Sequence, residues 1–109
     1  MNATESAITL ALWLLGPVLL GPIAEELYFR GELLPRIPAG PWMAAAANAG
    51  LFAAYHIWQP YAALTVFLFA LPIAFARARL GASMVLCTTV HCLVNLSMLV
   101  AFLTHSTTR

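Results

Sequence analysis

The sequence predicts an all-α integral membrane protein, a bundle of about four transmembrane helices, and three observations support this fold class. Hydrophobic residues make up 62% of the 109 residues, and charged residues only 8%. Apolar stretches of about 20 residues, which is enough to cross the hydrocarbon core of a bilayer, recur along the chain. Polar residues, prolines or glycines separate each stretch from the next. A soluble domain is excluded, because roughly a quarter of its residues would be charged.

The charges and the cysteines exclude other classes. The formal net charge is +1, and the arginines are scattered along the chain. Without a basic stripe, no nucleic-acid partner is expected. Cys87 and Cys92 lie inside an apolar run, so they are expected to be small buried hydrophobic residues rather than a disulfide or redox pair. No internal repeat or long linker divides the chain, so residues 1–109 are expected to form one domain.

Four helices are predicted from the apolar stretches and the residues that interrupt them. They span about residues 7–34, 41–58, 61–76 and 82–103. The second helix begins favourably, with Pro41 in its first turn after Gly40. Pro72 is expected to kink the third helix, because proline has no backbone N–H to donate.

The arginines predict the orientation of the chain in the membrane. Arg36 follows the first helix, whereas Arg77 and Arg79 follow the third, so an even number of crossings separates the two loops. Both loops therefore lie on the same side of the membrane. The positive-inside rule places them in the cytoplasm, with both termini and Arg109 on the opposite side.

Several ionisable or amide side chains fall within the apolar stretches. Each such group at the centre of a membrane helix costs on the order of 3 kcal/mol, so each needs a partner or a purpose. Glu26 and Arg30 are four residues apart, in the favourable order for an ion pair on one helix face. Glu25 has no comparable partner nearby in the sequence. Its presence is the first indication of a functional site.

The remaining polar groups have structural interpretations of their own. His56 would be explained as an interfacial residue near a helix end. His91 and Asn95, four residues apart, would be explained by hydrogen bonds between helices. Asn48 lies within an alanine-rich run that allows close helix approach, and we expect its amide to make an interhelical hydrogen bond rather than to contact a substrate.

The depths of these residues favour one shared site over separate contacts. At a rise of about 1.5 Å per residue from the arginine-loop end, Glu25 lies roughly 17 Å deep and His56 roughly 24 Å deep. The same count puts His91 at roughly 15 Å and Asn95 at roughly 21 Å. All four fall in the middle band of the bilayer. The sequence thus predicts a site between the first, second and fourth helices, with the third helix as a wall.

Three motifs give the chain a family resemblance. Residues 25–30 match EExxxR, residues 52–56 match FxxxH, and residues 91–95 match HxxxN. In this order and spacing they resemble the CPBP family, which comprises type II CAAX prenyl proteases and related Abi proteins that process bacteriocins or confer self-immunity. All are polytopic intramembrane peptidases. The resemblance covers about residues 22–102.

The resemblance implies a catalytic role for four residues. Glu25 resembles the glutamate that activates the attacking water, and His56 resembles the histidine that assists it. His91 and Asn95 resemble the donors that stabilise the oxyanion of the tetrahedral intermediate. This mechanism requires no cofactor.

The resemblance also implies supporting residues and a class of substrate. Glu26 and Arg30 would organise the first helix and its neighbours, and Phe52 would pack beside His56. The expected partners are membrane lipid and a peptide or protein substrate, either a prenylated C-terminal tail or a bacterial leader peptide. We expect a prokaryotic cell membrane protein. Family members usually have helices before the EExxxR helix, so the chain is expected to be a fragment, a trimmed gene model or a minimal member.

Two alternative functions remain open at this point. The first is a zinc-dependent intramembrane metalloprotease, since Glu25, His56 and His91 are residue types that bind zinc and leave a position open. The second is a non-catalytic immunity, scaffolding or proton-pathway protein. Residues 8–23 are apolar apart from Thr9, which favours a closed chemical site over a pathway that reaches both faces.

Overall fold

The computed structural model describes residues 2–56 and 59–107, and within these ranges the chain is helical with no strand. The helices are α1 (Ala3–Arg36), α2 (Pro41–Tyr55), α3 (Pro60–Arg79) and α4 (Met84–Thr107). The predicted all-α class is therefore confirmed. Residues 57 and 58, where the sequence predicts the end of the second helix, lie outside the described residues, as does Arg109.

Three of the described helices are long and apolar enough to cross a membrane: Ala3–Arg36, Pro60–Arg79 and Met84–His105. Only 11% to 17% of the apolar window in each is buried within the chain, so most of these side chains are available to lipid. α2 has 15 residues. At about 1.5 Å per residue it is shorter than the ~30 Å hydrocarbon core.

The helix ends differ from the predicted bounds because of local capping. α1 begins at Ala3 rather than Ala7, since Asn2 Oδ1 accepts a hydrogen bond from Glu5 N (2.8 Å) and Glu5 Oε2 accepts one from Asn2 N (2.9 Å). This reciprocal cap satisfies two donors of the first turn. At α4, the Ser83 hydroxyl accepts a bond from Leu86 N, so that helix begins at Met84 rather than at residue 82.

α1 is not a uniform α-helix. Two segments, Leu14–Leu20 and Leu27–Leu33, have the wider π-helical turn, in which an N–H bonds to the carbonyl five residues earlier. The bonds from Gly21 N to Gly16 O and from Leu34 N to Phe29 O belong to this pattern. The sequence analysis did not predict these wide turns.

The described chain forms two compact units, Met1–Ala24 with Thr88–Arg109 and Glu25–Cys87. The core of the second unit is made of Phe29, Ala49, Phe52 and Ala70. Ala45 and Ala74 are also fully buried. Small side chains at these positions let the helices approach closely, as the alanine-rich run predicts.

The arginine-bearing ends of α1 and α3 lie at one end of the second unit. A cavity of about 340 Å³ is lined by residues from the end of α1, the start of α2 and the end of α3, including Leu34, Pro41 and Arg77. Arg77 Nη1 donates to Ala82 O at 2.8 Å, which secures the turn after α3.

Candidate active site

Glu25 on α1 and His56 at the end of α2 approach each other across the second unit. Glu25 Oε2 lies 3.7 Å from His56 Nε2, and the two side chains are 17% and 15% exposed. The distance is too long for a direct hydrogen bond. Glu25 therefore faces an imidazole that is 31 positions further along the chain.

The orientation of the His56 ring is set by its own helix. His56 Nδ1 lies 2.8 Å from Phe52 O. A carbonyl oxygen only accepts hydrogen bonds, so Nδ1 is the donor in this contact. In the neutral ring the lone pair is then on Nε2, the atom that faces Glu25. This pairing of one ring nitrogen with a backbone carbonyl is a common way to fix a catalytic histidine.

Aromatic rings form the wall behind this pair. The ring centroids of Phe52 and His56 are 4.8 Å apart, and those of Phe29 and Phe52 are 5.1 Å apart in an edge-to-face arrangement. Tyr55 also contacts both Phe29 and His56. Phe52 is buried, so it anchors the turn of α2 that carries His56.

Glu26 and Arg30 form an ion pair inside the unit. Arg30 Nη1 lies 3.5 Å from Glu26 Oε1, and both side chains are 0% exposed. Arg30 also reaches the other two helices of this unit, because Nη2 donates to Ala70 O on α3 (3.3 Å) and Cζ lies 4.6 Å from the centroid of the Phe52 ring on α2. The guanidinium thus connects all three helices around the site.

Asn48 makes the interhelical hydrogen bond that the sequence predicts. Its Nδ2 donates to Phe29 O at 2.7 Å, and the side chain is fully buried. The contact joins α2 to the second wide turn of α1. The sequence predicts an interhelical bond for Asn48 but not its partner, and it gives Asn48 no part in the site.

His91 and Asn95 belong to the other unit, on α4. His91 is buried. Asn95 Nδ2 donates to Pro17 O, in the first wide turn of α1, at 2.8 Å. In the wide-turn pattern that carbonyl would bond the N–H five residues later, but that residue is Pro22, which has none. The Asn95 amide supplies the missing donor, and its second N–H is available for another acceptor.

The Asn95 contact leads to a prediction about stability. Replacing Asn95 by leucine is expected to cost about 0.5–1.5 kcal/mol of unfolding free energy, because the Pro17 carbonyl loses its donor. Pro22→Ala restores an N–H five residues after Pro17, so the same Asn95→Leu change should then cost less. A double-mutant cycle on unfolding in detergent micelles measures the difference.

The control for this cycle is Ser97→Ala. The Ser97 hydroxyl donates to Leu93 O within α4. Ser97→Ala should therefore lower the free energy of unfolding by the same amount in the unchanged chain and in the Pro22→Ala chain. If the losses of unfolding free energy caused by Asn95→Leu and Pro22→Ala are additive in the double variant, the Asn95 amide does not replace the N–H that Pro22 lacks.

No group of three or more His, Cys, Asp or Glu side chains within residues 2–56 and 59–107 is arranged so that it could hold a metal ion. The two cysteines are free, Cys87 buried and Cys92 partly buried.

Comparison with known protein families gives a match. A family model described as type II CAAX prenyl endopeptidase Rce1-like matches residues 7–97. The matched range includes the residues of all three motifs, the whole of α2 and α3, and most of α1 and α4. No curated protein and no solved structure matches the chain.

Proposed function

Because the chain belongs to the Rce1-like family of type II CAAX prenyl endopeptidases, we propose that it hydrolyses a peptide bond within the membrane with a water molecule activated by Glu25 and His56. The observation that carries this proposal is the approach of Glu25 Oε2 to His56 Nε2 at 3.7 Å. The family supports a peptidase with a peptide or protein substrate. The assignment of Glu25 and His56 as the water-activating pair follows the family resemblance and is supported by their distance.

The pair is suited to hold a water molecule. In the neutral ring with Nδ1 bonded to Phe52 O, both Nε2 and the Glu25 carboxylate are acceptors, and two facing acceptors favour a water that donates one hydrogen to each. Such a water presents its oxygen lone pair away from the pair, toward an incoming carbonyl carbon.

The reaction then proceeds in two steps. In the first, Glu25 takes a proton from the water as its oxygen attacks the peptide carbonyl carbon, and the carbonyl oxygen becomes an oxyanion. In the second, the intermediate collapses, the C–N bond breaks, and the proton on Glu25 passes to the leaving amine. Following the family resemblance, we assign oxyanion stabilisation to the ring N–H of His91 and the second amide N–H of Asn95.

The buried Glu26–Arg30 pair has a different proposed task. Neither side chain is exposed, so neither is placed to meet substrate. Arg30 contacts both α2 and α3, and we assign to the pair the arrangement of these helices around Glu25.

For the substrate we propose a prenylated C-terminal peptide, with a bacterial leader peptide as the other candidate. Purified protein in bilayer vesicles, incubated with an S-farnesylated CAAX peptide, its unprenylated counterpart and a leader peptide, distinguishes them. Cleavage of the farnesylated peptide that is absent in Glu25→Ala protein supports both enzyme and substrate.

We propose that the Arg36 loop and the loop containing Arg77 and Arg79 face the cytoplasm of a prokaryotic cell. The argument is the excess of arginine in these loops. Single cysteines introduced at Arg36 or Arg79, in a chain without its own cysteines, should be labelled by a membrane-impermeant maleimide only after the membrane is opened.

Metal removal is expected to leave activity unchanged, because Glu25 and His56 activate the water without a Lewis acid. The measurement is the hydrolysis rate after dialysis against a strong chelator, together with the zinc content per chain by elemental analysis. Activity that is lost with the metal and restored by Zn²⁺ would instead support the alternative metalloprotease, with Glu25, His56 and His91 as ligands.

A further inference from the structure

Asn48 lies on the same face of α2 as the residues of the proposed site. It precedes Phe52 by four residues and His56 by eight, so the three side chains share one stripe of the helix. On α1 the facing stripe contains Glu25 and Phe29, which are also four residues apart.

These two stripes meet in three successive contacts. Asn48 Nδ2 donates to Phe29 O at 2.7 Å. The Phe29 and Phe52 rings pack edge to face with centroids 5.1 Å apart. His56 then meets Glu25 at 3.7 Å. The helices run antiparallel here, so the position of the first contact determines the position of the last.

The apolar contacts by themselves do not determine the register between the helices. Ala45 and Ala49, on either side of Asn48 on the buried face, are fully buried and have only a methyl group each. Apolar attraction is non-directional, and a surface of methyl groups offers little resistance to a small slide or rotation. A hydrogen bond, by contrast, weakens steeply when its distance or angle changes.

The hydrogen bond of Asn48 acts on the main chain of α1 rather than on a side chain. Phe29 O lies in the wide turn Leu27–Leu33 and also accepts a bond from Leu34 N. A hydrogen bond to a backbone carbonyl positions the whole helix turn relative to α2. Glu25 lies one turn before Phe29, so its position depends on this bond.

Asn48 also destabilises the fold through one of its side-chain atoms. Its Oδ1 atom is buried and has no hydrogen-bond partner in the described part of the chain. An unsatisfied buried carbonyl oxygen is unfavourable, and Phe29 O would keep its bond from Leu34 N without Asn48. Stability alone would therefore favour an apolar residue of similar size, such as leucine.

We propose that Asn48 is a positioning residue, which sets the register between α1 and α2 so that Glu25 and His56 face each other at the distance required to hold one water molecule. This inference rests on the proposed function of Glu25 and His56. It assigns to Asn48 no contact with substrate.

The first test is Asn48→Leu, with hydrolysis of the farnesylated peptide and thermal unfolding measured on the same protein in vesicles or micelles. We expect kcat to fall about 10- to 100-fold, the effect of a small misplacement of reacting groups, with KM nearly unchanged. The melting temperature should stay close to that of the unchanged protein. Asn48→Ala, which extends the alanine run of α2, is the second variant and covers a failure of Asn48→Leu to accumulate.

The matched control is Val66→Ala, at the edge of the same core on α3. It removes apolar contacts to the core that contains Phe29 and Phe52 but no atom of the three contacts between α1 and α2. We expect it to lower the melting temperature while kcat changes less than in Asn48→Leu, which is the opposite of the pattern expected for a positioning residue.

A second readout is independent of activity. In protein labelled with ¹⁵N-histidine, Glu25→Gln should shift the NMR signal of the His56 ring, because the carboxylate beside Nε2 is lost. The same Glu25→Gln change made in Asn48→Leu protein should shift it much less, and in Val66→Ala protein as much as in the unchanged chain.

The outcomes separate this inference from the proposed function. The positioning role would be overturned if, in both Asn48 variants, kcat were unchanged and Glu25→Gln shifted the His56 NMR signal as much as in the unchanged chain. A smaller shift of the His56 signal in the Asn48 variants would support the positioning role even if Glu25→Gln protein still cleaved peptide. Continued cleavage would reject only the catalytic assignment of Glu25.

Discussion

Replacing Glu25 by glutamine is expected to reduce peptide hydrolysis by about 10²- to 10⁴-fold, the contribution of a well-placed general base. The substitution keeps the size and the hydrogen-bonding capacity of the side chain but removes its ability to take a proton from water. Its position beside His56 Nε2, at 3.7 Å in the unchanged protein, is expected to be retained. Glu25→Ala should likewise abolish activity. The rate is measured on purified protein in vesicles, with the farnesylated CAAX peptide.

Glu32→Gln is the matched control for this experiment. Glu32 lies on the same helix but is exposed, and its carboxylate pairs with Arg36 at 2.8 Å. The change in charge is identical, so a general electrostatic effect would appear in both variants. We expect Glu32→Gln protein to cleave at close to the normal rate. Undiminished cleavage by well-folded Glu25→Gln protein would reject Glu25 as the base.

The largest effect on stability is expected from Arg30→Met. This substitution leaves Glu26 as a charge in a fully buried site, and breaking a buried ion pair in this way typically costs about 3–5 kcal/mol. The hydrogen bond to Ala70 O and the contact with the Phe52 ring are lost as well. Unfolding in mixed micelles with increasing denaturing detergent measures the loss.

The double variant Glu26→Gln with Arg30→Met should recover part of this loss, because no unpaired charge then remains buried. Arg36→Met is the control on the surface. It breaks the exposed pair with Glu32 and should cost less than about 1 kcal/mol. An Arg30→Met cost no larger than that of Arg36→Met would mean that the buried pair does not hold the helices together.

The two neighbouring glutamates of the EExxxR motif differ in their environment and in their proposed tasks. Glu25 is 17% exposed and faces an imidazole, whereas Glu26 is fully buried against a guanidinium. Successive residues on a helix point about 100° apart. The Glu25 carboxylate is therefore directed toward His56, whereas the Glu26 carboxylate is directed into the packing between the helices. The proposed division of labour between catalysis and structure follows from this geometry.

Contacts within one helix could be predicted well from the sequence. The ion pair between Glu26 and Arg30 follows from their spacing of four residues, because such side chains are neighbours on any α-helix. The polar residue within the alanine-rich run, Asn48, was correctly expected to bond a neighbouring helix, since an amide in an apolar environment needs a partner. The partner, a backbone carbonyl, carries no sequence signal.

The wide turns of α1 could not be predicted in the same way. The pairs Gly16-Pro17 and Gly21-Pro22 indicate a disturbed helix, because proline removes a donor. They do not say whether the helix kinks, breaks or widens. In the structure the turn widens and Asn95, 78 residues from Pro17, satisfies the exposed carbonyl. That outcome depends on which neighbour can supply a donor.

The sequence by itself determined the membrane environment, the all-helical class and the positions of the three motifs, because hydrophobicity and residue spacing are local properties of the chain. Only the tertiary structure decided that Glu25 meets His56 and that Asn48 bonds Phe29 O rather than another group. The reason is physical: contacts between helices depend on their register and rotation, and these follow from the packing of many small side chains at once.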